Sequence, residues 1–261
     1  MNPHEDEPPV EFDDKLLPVI QTTVSFAIIS RAHNIEQLIS LLKSLAPLKD
    51  EIVLILDNND ETIRNQLADY ADIVIPMPGK GCFEAYSADI FYYCTKDWIF
   101  RIDDDETLSA NCTRELLERY MSKRLINAWW IPRKWFVDKT HYICSGQWFP
   151  DYQLRLFRNI PGILALPGRI HEALRVLGRN EHLDEIRLEH WDLLTPREMR
   201  EKKTAHYNEL LPNNGCTSFY LYEDEIYTCM ACPPPPRRFL KIVALPLFRK
   251  KYEKICATAR K

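Results

Sequence analysis

Residues 103–106 read Asp103-Asp104-Asp105-Glu106, four acids in a row behind the apolar run Trp98-Ile99-Phe100-Arg101-Ile102. Neighbouring carboxylates repel one another, so such a run is costly unless a cation neutralises it. In an extended chain successive side chains alternate, which would turn Asp103 and Asp105 toward one point and Asp104 away. Two carboxylates together with the oxygens of a diphosphate make a hard-ligand site for Mg2+ or Mn2+. The competing reading is an acidic surface turn.

The elements that must position these acids alternate in type. The run 23–30 predicts a strand of the continuous apolar kind found in buried parallel sheets. Asn34, with Gln37 three residues on, predicts a helix start, and Ile35, Leu38, Ile39, Leu42 and Leu45 follow at helical spacing until Pro47. Residues 51–56 predict a second buried strand, 61–70 a helix and 71–76 a third strand. This alternation predicts an α/β fold with a mostly parallel, doubly wound central sheet. Ligands of such sheets bind outside the carboxyl ends of the strands. Arg31, Asp57 and Asp60 stand at those ends and are candidates for a nucleotide site, while Asp57 and Asp60 equally suit a strand stop and a helix cap.

Further along, 83–96 predicts an aromatic-rich helix covering the sheet, 98–102 the strand that leads into the acids, and 111–124 another helix. Between 127 and 177 the texture changes to alternating strands, at 128–132, 135–137 and 152–157. Trp129, Trp130, Trp135, Phe136 and Trp148 offer either a stacking surface for a sugar or core. Thr195-Pro196-Arg197-Glu198 predicts a helix start, and the helix runs to about Leu211. Four prolines at 233–236 then separate off a C-terminal segment.

The chain has 261 residues, enough for one large domain with appendages. Hydrophobic residues at 46% and charged residues at 28% exclude collagen-like, coiled-coil and fully disordered classes. A net charge of -4 gives no general affinity for polyanions, so nucleic acid is not an expected partner. Charge is unevenly placed: residues 1–14 carry -6 and residues 237–261 carry +8. The acidic start does not read as a secretory signal, and no apolar run approaches the roughly 18 residues of a membrane span. The expected location is the cytoplasm. Residues 237–261, basic and apolar together, are a candidate peripheral contact with the inner face of a membrane.

The 8 cysteines are irregularly spaced, and no disulfide framework is expected. Cys82, Cys94 and Cys112 read as small buried hydrophobes. Cys229 and Cys232 form a lone CxxC without the second pair a zinc site needs. The chain has no Gly-rich phosphate loop and no nucleophile elbow.

Asp103, Asp105 and Thr107 fit the first motif of haloacid-dehalogenase-type phosphatases. Three strand-like runs precede it, however, and the downstream Gly-Asp motif is missing. A longer ordered series resembles family 2 glycosyltransferases of the GT-A fold, particularly the bacterial and phage lipopolysaccharide-core-type subgroup. It comprises Ser30-Arg31-Ala32-His33-Asn34, Asp57, the run 98–106, Pro150-Asp151 through Arg158, Gly168-Arg169-Ile170-His171-Glu172, His190, Lys203 and Tyr207, spanning about 20–210.

The resemblance implies that Asp57 binds the base or ribose of a nucleotide-sugar, with Arg31 near the same pocket. Asp103 would sit near ribose and metal, with Asp104 beside it in the donor site. Asp105 would ligate the metal bridging the diphosphate. His190 would approach the metal or diphosphate, or be a buried structural histidine. Lys203 would neutralise phosphate or lie on a solvated helix face. An inverting transfer needs a base, for which Glu172 is favoured and Asp151 is second; the Glu-Asp pair usual in the family is not found here. Arg155 and Arg158 would hold an anionic group or pair with acids.

The expectation is therefore a metal-dependent, inverting glycosyltransferase moving a sugar from a nucleotide-sugar to a saccharide or other hydroxyl acceptor. The GT-A domain would span 21–212, with extensions at 1–20 and 213–261. The alternatives are a sugar nucleotidyltransferase and a non-catalytic nucleotide-sugar-binding module.

Overall fold

Two neighbouring strands, β1 (Val24–Ser30) and β2 (Glu51–Leu56), sort their side chains by the period-two rule. Val24, Phe26, Ile28, Ile52, Leu54 and Leu56 enter one apolar cluster, while Ala27, Val53 and Ile55 enter another on the opposite face. Both faces are therefore covered, which is why these runs are apolar apart from Ser25, Ser30 and Glu51. The helix between them, α1 (Ile35–Leu45), lays Leu38, Leu41, Leu42 and Leu45 on the first face. Its start is as expected: Gln37 N–H donates to the Asn34 side chain at 3.1 Å.

The computed structural model describes residues 22–79, 83–144, 148–165, 174–210, 220–221 and 228–229. After β2 come α2 (Glu61–Leu67), β3 (Ile73–Pro76), α3 (Ser87–Tyr93), which covers the second face, β4 (Trp98–Arg101), β5 (Glu106–Leu108) and α4 (Arg114–Met121). The chain continues through β6 (Ala128–Phe136), β7 (Tyr142–Ile143), β8 (Asp151–Arg158), β9 (Leu164–Ala165), β10 (Arg175–Val176), β11 (Asn180–His182), β12 (Leu188–His190), α5 (Arg197–Leu210) and β13 (Thr228–Cys229). The order β3-β2-β1-β4 is parallel, and β8, β6 and β7 extend it antiparallel. This is the expected α/β sheet flanked by helices, with a β-rich subregion beside it.

Three expectations are corrected. Residues 128–136 form one strand rather than two, and Val137 lies beyond its end. The first half of β6 pairs with β11 and the second half with β12, and Pro132 falls between these partners, where a residue that cannot donate is tolerated. The acidic run does not extend β4 but turns, with Glu106 N–H donating to Asp103 O at 3.1 Å, so strand alternation does not govern its side chains. A disulfide is present at Cys144. The pairing of β7 with β13 brings that part of the chain against a segment far away in sequence, a contact that cysteine spacing does not reveal.

Cys94 and Cys112 are buried thiols as expected. Trp129, Trp135, Phe136 and Trp148 are buried and belong to the interior, with Trp130 half-buried. No helix among the described residues is long and apolar enough to cross a membrane. Residues 1–20, 237–261, Cys82 and Cys232 lie outside the described residues.

Candidate functional site

Asp57 stands at the carboxyl end of β2, where its N–H donates to Ser30 O at 2.8 Å. Arg31 Nε meets its carboxylate at 3.1 Å, Gly79 N–H donates to it at 2.6 Å, and the Tyr86 hydroxyl donates as well. Burial pushes the Asp57 carboxyl up, but these donors outweigh it and hold the group below the usual aspartate value. The carboxylate side chain is 5% exposed and its Arg31 partner 38%, so the pair presents a cation outward over a fixed anion. Asp60 takes the other role left open for it and caps α2, accepting from Thr62 and Ile63 N–H.

Two strands over, on the far side of β1, the turn 103–106 follows β4. Asp104 accepts the Ser30 hydroxyl at 2.5 Å, which ties the turn to the end of β1. Burial, then the adjacent Asp105, push the Asp104 carboxyl up to about 7. Asp103 points elsewhere: Arg101 donates to one of its oxygens at 2.9 Å and Arg155 to the other at 2.6 Å. Burial alone would raise that carboxyl, yet the two guanidiniums hold it far below the usual range. Asp103 thus serves as a counter-ion to arginines.

Asp105 faces β12 and α5. His190 Nε2 lies 3.5 Å from one of its oxygens and Lys203 Nζ 3.4 Å from the other. Lys203 also donates to Asp192 at 2.9 Å, and these two acids raise its pKa well above the ordinary lysine value despite burial. His190 is 3% exposed and lies 4.1 Å from the Trp135 ring. Burial, then Arg133, depress its pKa strongly, which leaves a neutral imidazole able to act as a ligand.

A divalent cation suits part of this donor set. Asp105 supplies a hard oxygen and neutral His190 a nitrogen, while Asp192 Oδ2 is buried without a hydrogen-bond partner among the described residues. No three of His, Cys, Asp and Glu stand at metal-binding distance among the described residues. The protein would therefore supply few ligands and a diphosphate or water the rest, the usual manner of Mg2+. Asp103, engaged by two arginines, does not fit the ligand role expected of it.

Asp151 opens β8 and is held from three sides. Arg133 Nε donates to it at 2.8 Å, Trp135 Nε1 at 2.9 Å and Gln153 at 2.6 Å. Burial raises its pKa, and these partners bring it below the ordinary value. Arg158 turns to the backbone, donating to Ile126 O at 2.9 Å and to Lys123 O and Arg124 O. Glu172 lies outside the described residues.

The structure thus gathers Arg31, Asp57, Asp104, Asp105, His190 and Lys203 along the strand ends. It also brings in residues to which the sequence assigns no separate role: Ser30, Tyr86, Arg133, Asp192 and Glu106. Tyr86 lies in the aromatic-rich run 83–96, and nothing local sets its hydroxyl apart. Glu106 was the last acid of the run, with nothing local to mark it as buried.

A family model described as glycosyl transferase family 2 matches residues 27–168, more than half of the chain. No curated protein matches the sequence. Among solved structures, the chain is similar to S. aureus TarS residues 1–349, with 12% identity and a TM-score of 0.45 over 76% of this chain and 69% of that one. The same protein in complex with UDP-GlcNAc gives 16% identity and a TM-score of 0.35 over 44% and 35% of the two chains. The family match extends to no subgroup.

Proposed function

The chain belongs to glycosyl transferase family 2, and on that premise we propose that it is a metal-dependent, inverting enzyme using a nucleotide-sugar donor. The acceptor is a saccharide or other hydroxyl compound. One observation carries the reading: the Arg31–Asp57 pair and the carboxylate turn occupy adjoining strand ends, joined by the Ser30–Asp104 hydrogen bond. Asp57 and Arg31 would hold the base or ribose, and Lys203 would face the diphosphate. Asp105 and His190 would hold Mg2+ or Mn2+. Such an ion, when bound, stabilises negative charge on a departing nucleoside diphosphate.

Inversion requires the acceptor oxygen to attack the anomeric carbon while the bond to diphosphate breaks and a base takes the hydroxyl proton. Asp151, with both oxygens engaged and its pKa lowered, suits anchoring better than proton abstraction. Glu172 is therefore the assigned base. The catalytic domain is assigned to 21–212, in the cytoplasm, with 237–261 as a peripheral membrane contact.

The test is a thermal-shift panel of UDP-, GDP-, dTDP- and CMP-sugars, each with and without Mn2+. A donor bound to the native state at a hundred times its Kd adds about 2.7 kcal/mol of stability. A Mn2+-dependent shift with one nucleotide family is expected. No shift with any donor overturns the reading.

A further inference from the structure

The side chain of Glu106 is 0% exposed and that of its partner Arg155 1%, so neither presents an atom to a bound ligand. We infer that Glu106 and Arg155 are positioning residues for donor binding, a buried ion pair that fixes the turn carrying Asp105. The inference rests on the transferase reading above.

Glu106 closes the turn from both ends. Its N–H donates to Asp103 O at 3.1 Å, and Asp103 N–H donates to its carboxylate at 3.1 Å. Arg155 spans the same two residues with one nitrogen, donating to Asp103 at 2.6 Å and to Glu106 at 2.7 Å. Arg155 comes from β8, which is paired to β4, so the clamp is anchored in the sheet rather than in a loop. Arg133, which grips Asp151, reaches the same Glu106 oxygen at 3.3 Å.

Register carries the effect to the metal side. In the antiparallel pairing of β12 with β5, His190 stands directly opposite Glu106. Trp191 N–H then donates to Asp105 O at 2.9 Å. The relation of Asp105 to His190 is therefore set by where Glu106 sits. Stability alone is a poor reason for this arrangement, because apolar residues of similar volume usually replace a buried ion pair at little cost. Arg155 even leaves Nε and Nη1 without partners among the described residues. What the apolar replacement cannot supply is the pair of directed bonds that shape the turn.

Three variants test this: Glu106→Gln, Arg155→Lys and the double variant Glu106→Met/Arg155→Met. Each is measured for Tm without ligand, for calorimetric Kd of Mn2+ with the nucleoside diphosphate that the parent binds, and for amide hydrogen exchange at Asp103 and Trp191. The double variant is expected to melt near the parent, to bind at least tenfold more weakly and to exchange both amides faster. The single variants should weaken binding in the same direction. If the double variant fails to fold, Glu106→Gln, which keeps size and one acceptor oxygen, decides the matter. Parental affinity in a variant of parental Tm overturns the inference alone. A parent that binds no nucleoside diphosphate overturns the transferase reading and this inference with it.

Discussion

Ser30 donates its hydroxyl to Asp104 across 74 positions of sequence and joins the end of β1 to the turn after β4. The same hydroxyl oxygen accepts Ala32 N–H at 2.9 Å, and Asn58 donates to Arg31 O at 2.8 Å. Ala32 has a φ of 53°, left-handed backbone that costs a residue with a Cβ about 1–2 kcal/mol. The loops following β1, β2 and β4 are thus one hydrogen-bonded unit, and perturbing one perturbs the donor site as a whole.

Asp104 gives that unit a pH dependence. Its carboxyl titrates near 7 in the native state against an ordinary value of 3.8, so between those values the native state holds more protons than the unfolded chain. Stability therefore falls as pH rises from about 4 to about 7. Thermal melts of the ligand-free protein across that window should show the slope, and Asp104→Asn should flatten it. An equal slope in the variant would assign the effect to other groups.

Asp103 and Asp105 should separate cleanly. Asp103→Asn removes the charge facing Arg101 and Arg155 and should cost about 2 kcal/mol of stability in denaturant titrations. Asp105→Asn relieves repulsion beside Asp104, so the fold should keep its stability while the Mn2+-dependent response to donor disappears. A Mn2+ response that survives in Asp105→Asn would remove this residue from the ligand set.

The donor pocket should respond in a graded way. Asp57→Asn leaves Arg31 without its charge partner and should weaken donor binding tenfold or more. Tyr86→Phe deletes one of the donors to the same carboxylate and should cost roughly 1 kcal/mol, about a fivefold loss of affinity. Competition binding with the unmodified nucleotide measures both, and equal losses would contradict the ranking.

The base assignment rests on a contrast between two acids. Glu172→Gln should abolish transfer with donor affinity intact. Asp151→Asn should instead lower stability, because Arg133 loses one of its two charge partners, and retain a measurable kcat. Single-turnover transfer assays decide between them, and a fully active Glu172→Gln would move the role to Asp151.

Local signals carried much of this architecture. The buried runs of β1 and β2, the Asn34 cap and the Asp60 cap are all written in neighbouring residues. What escaped depends on distant partners. The three-residue strands β5 and β12 exist because each pairs with a segment about 80 positions away, and neither has a pattern of its own. Glu106 is buried because Arg155 and Arg133 lie 49 and 27 positions away to meet it. Alternation along a strand is the default for a run such as 103–106, whereas the Asp103–Glu106 turn bond redirects its carboxylates.

Strand β6 carries a bulge between Trp129 and Trp130, and beyond it Arg133 reaches Glu106 and Asp151 while Lys134 lies over the Tyr142 ring, 4.3 Å from its centre. Losing one residue between the bulge and Arg133 would reverse the phase of everything after it. A flexible point charge, lysine, would then stand where a forked guanidinium now grips two carboxylates at once. The two positions 131 and 132 therefore act as a spacer whose count matters more than its spelling. Conservative exchanges there leave the two acids gripped, whereas a single codon lost or gained releases both together.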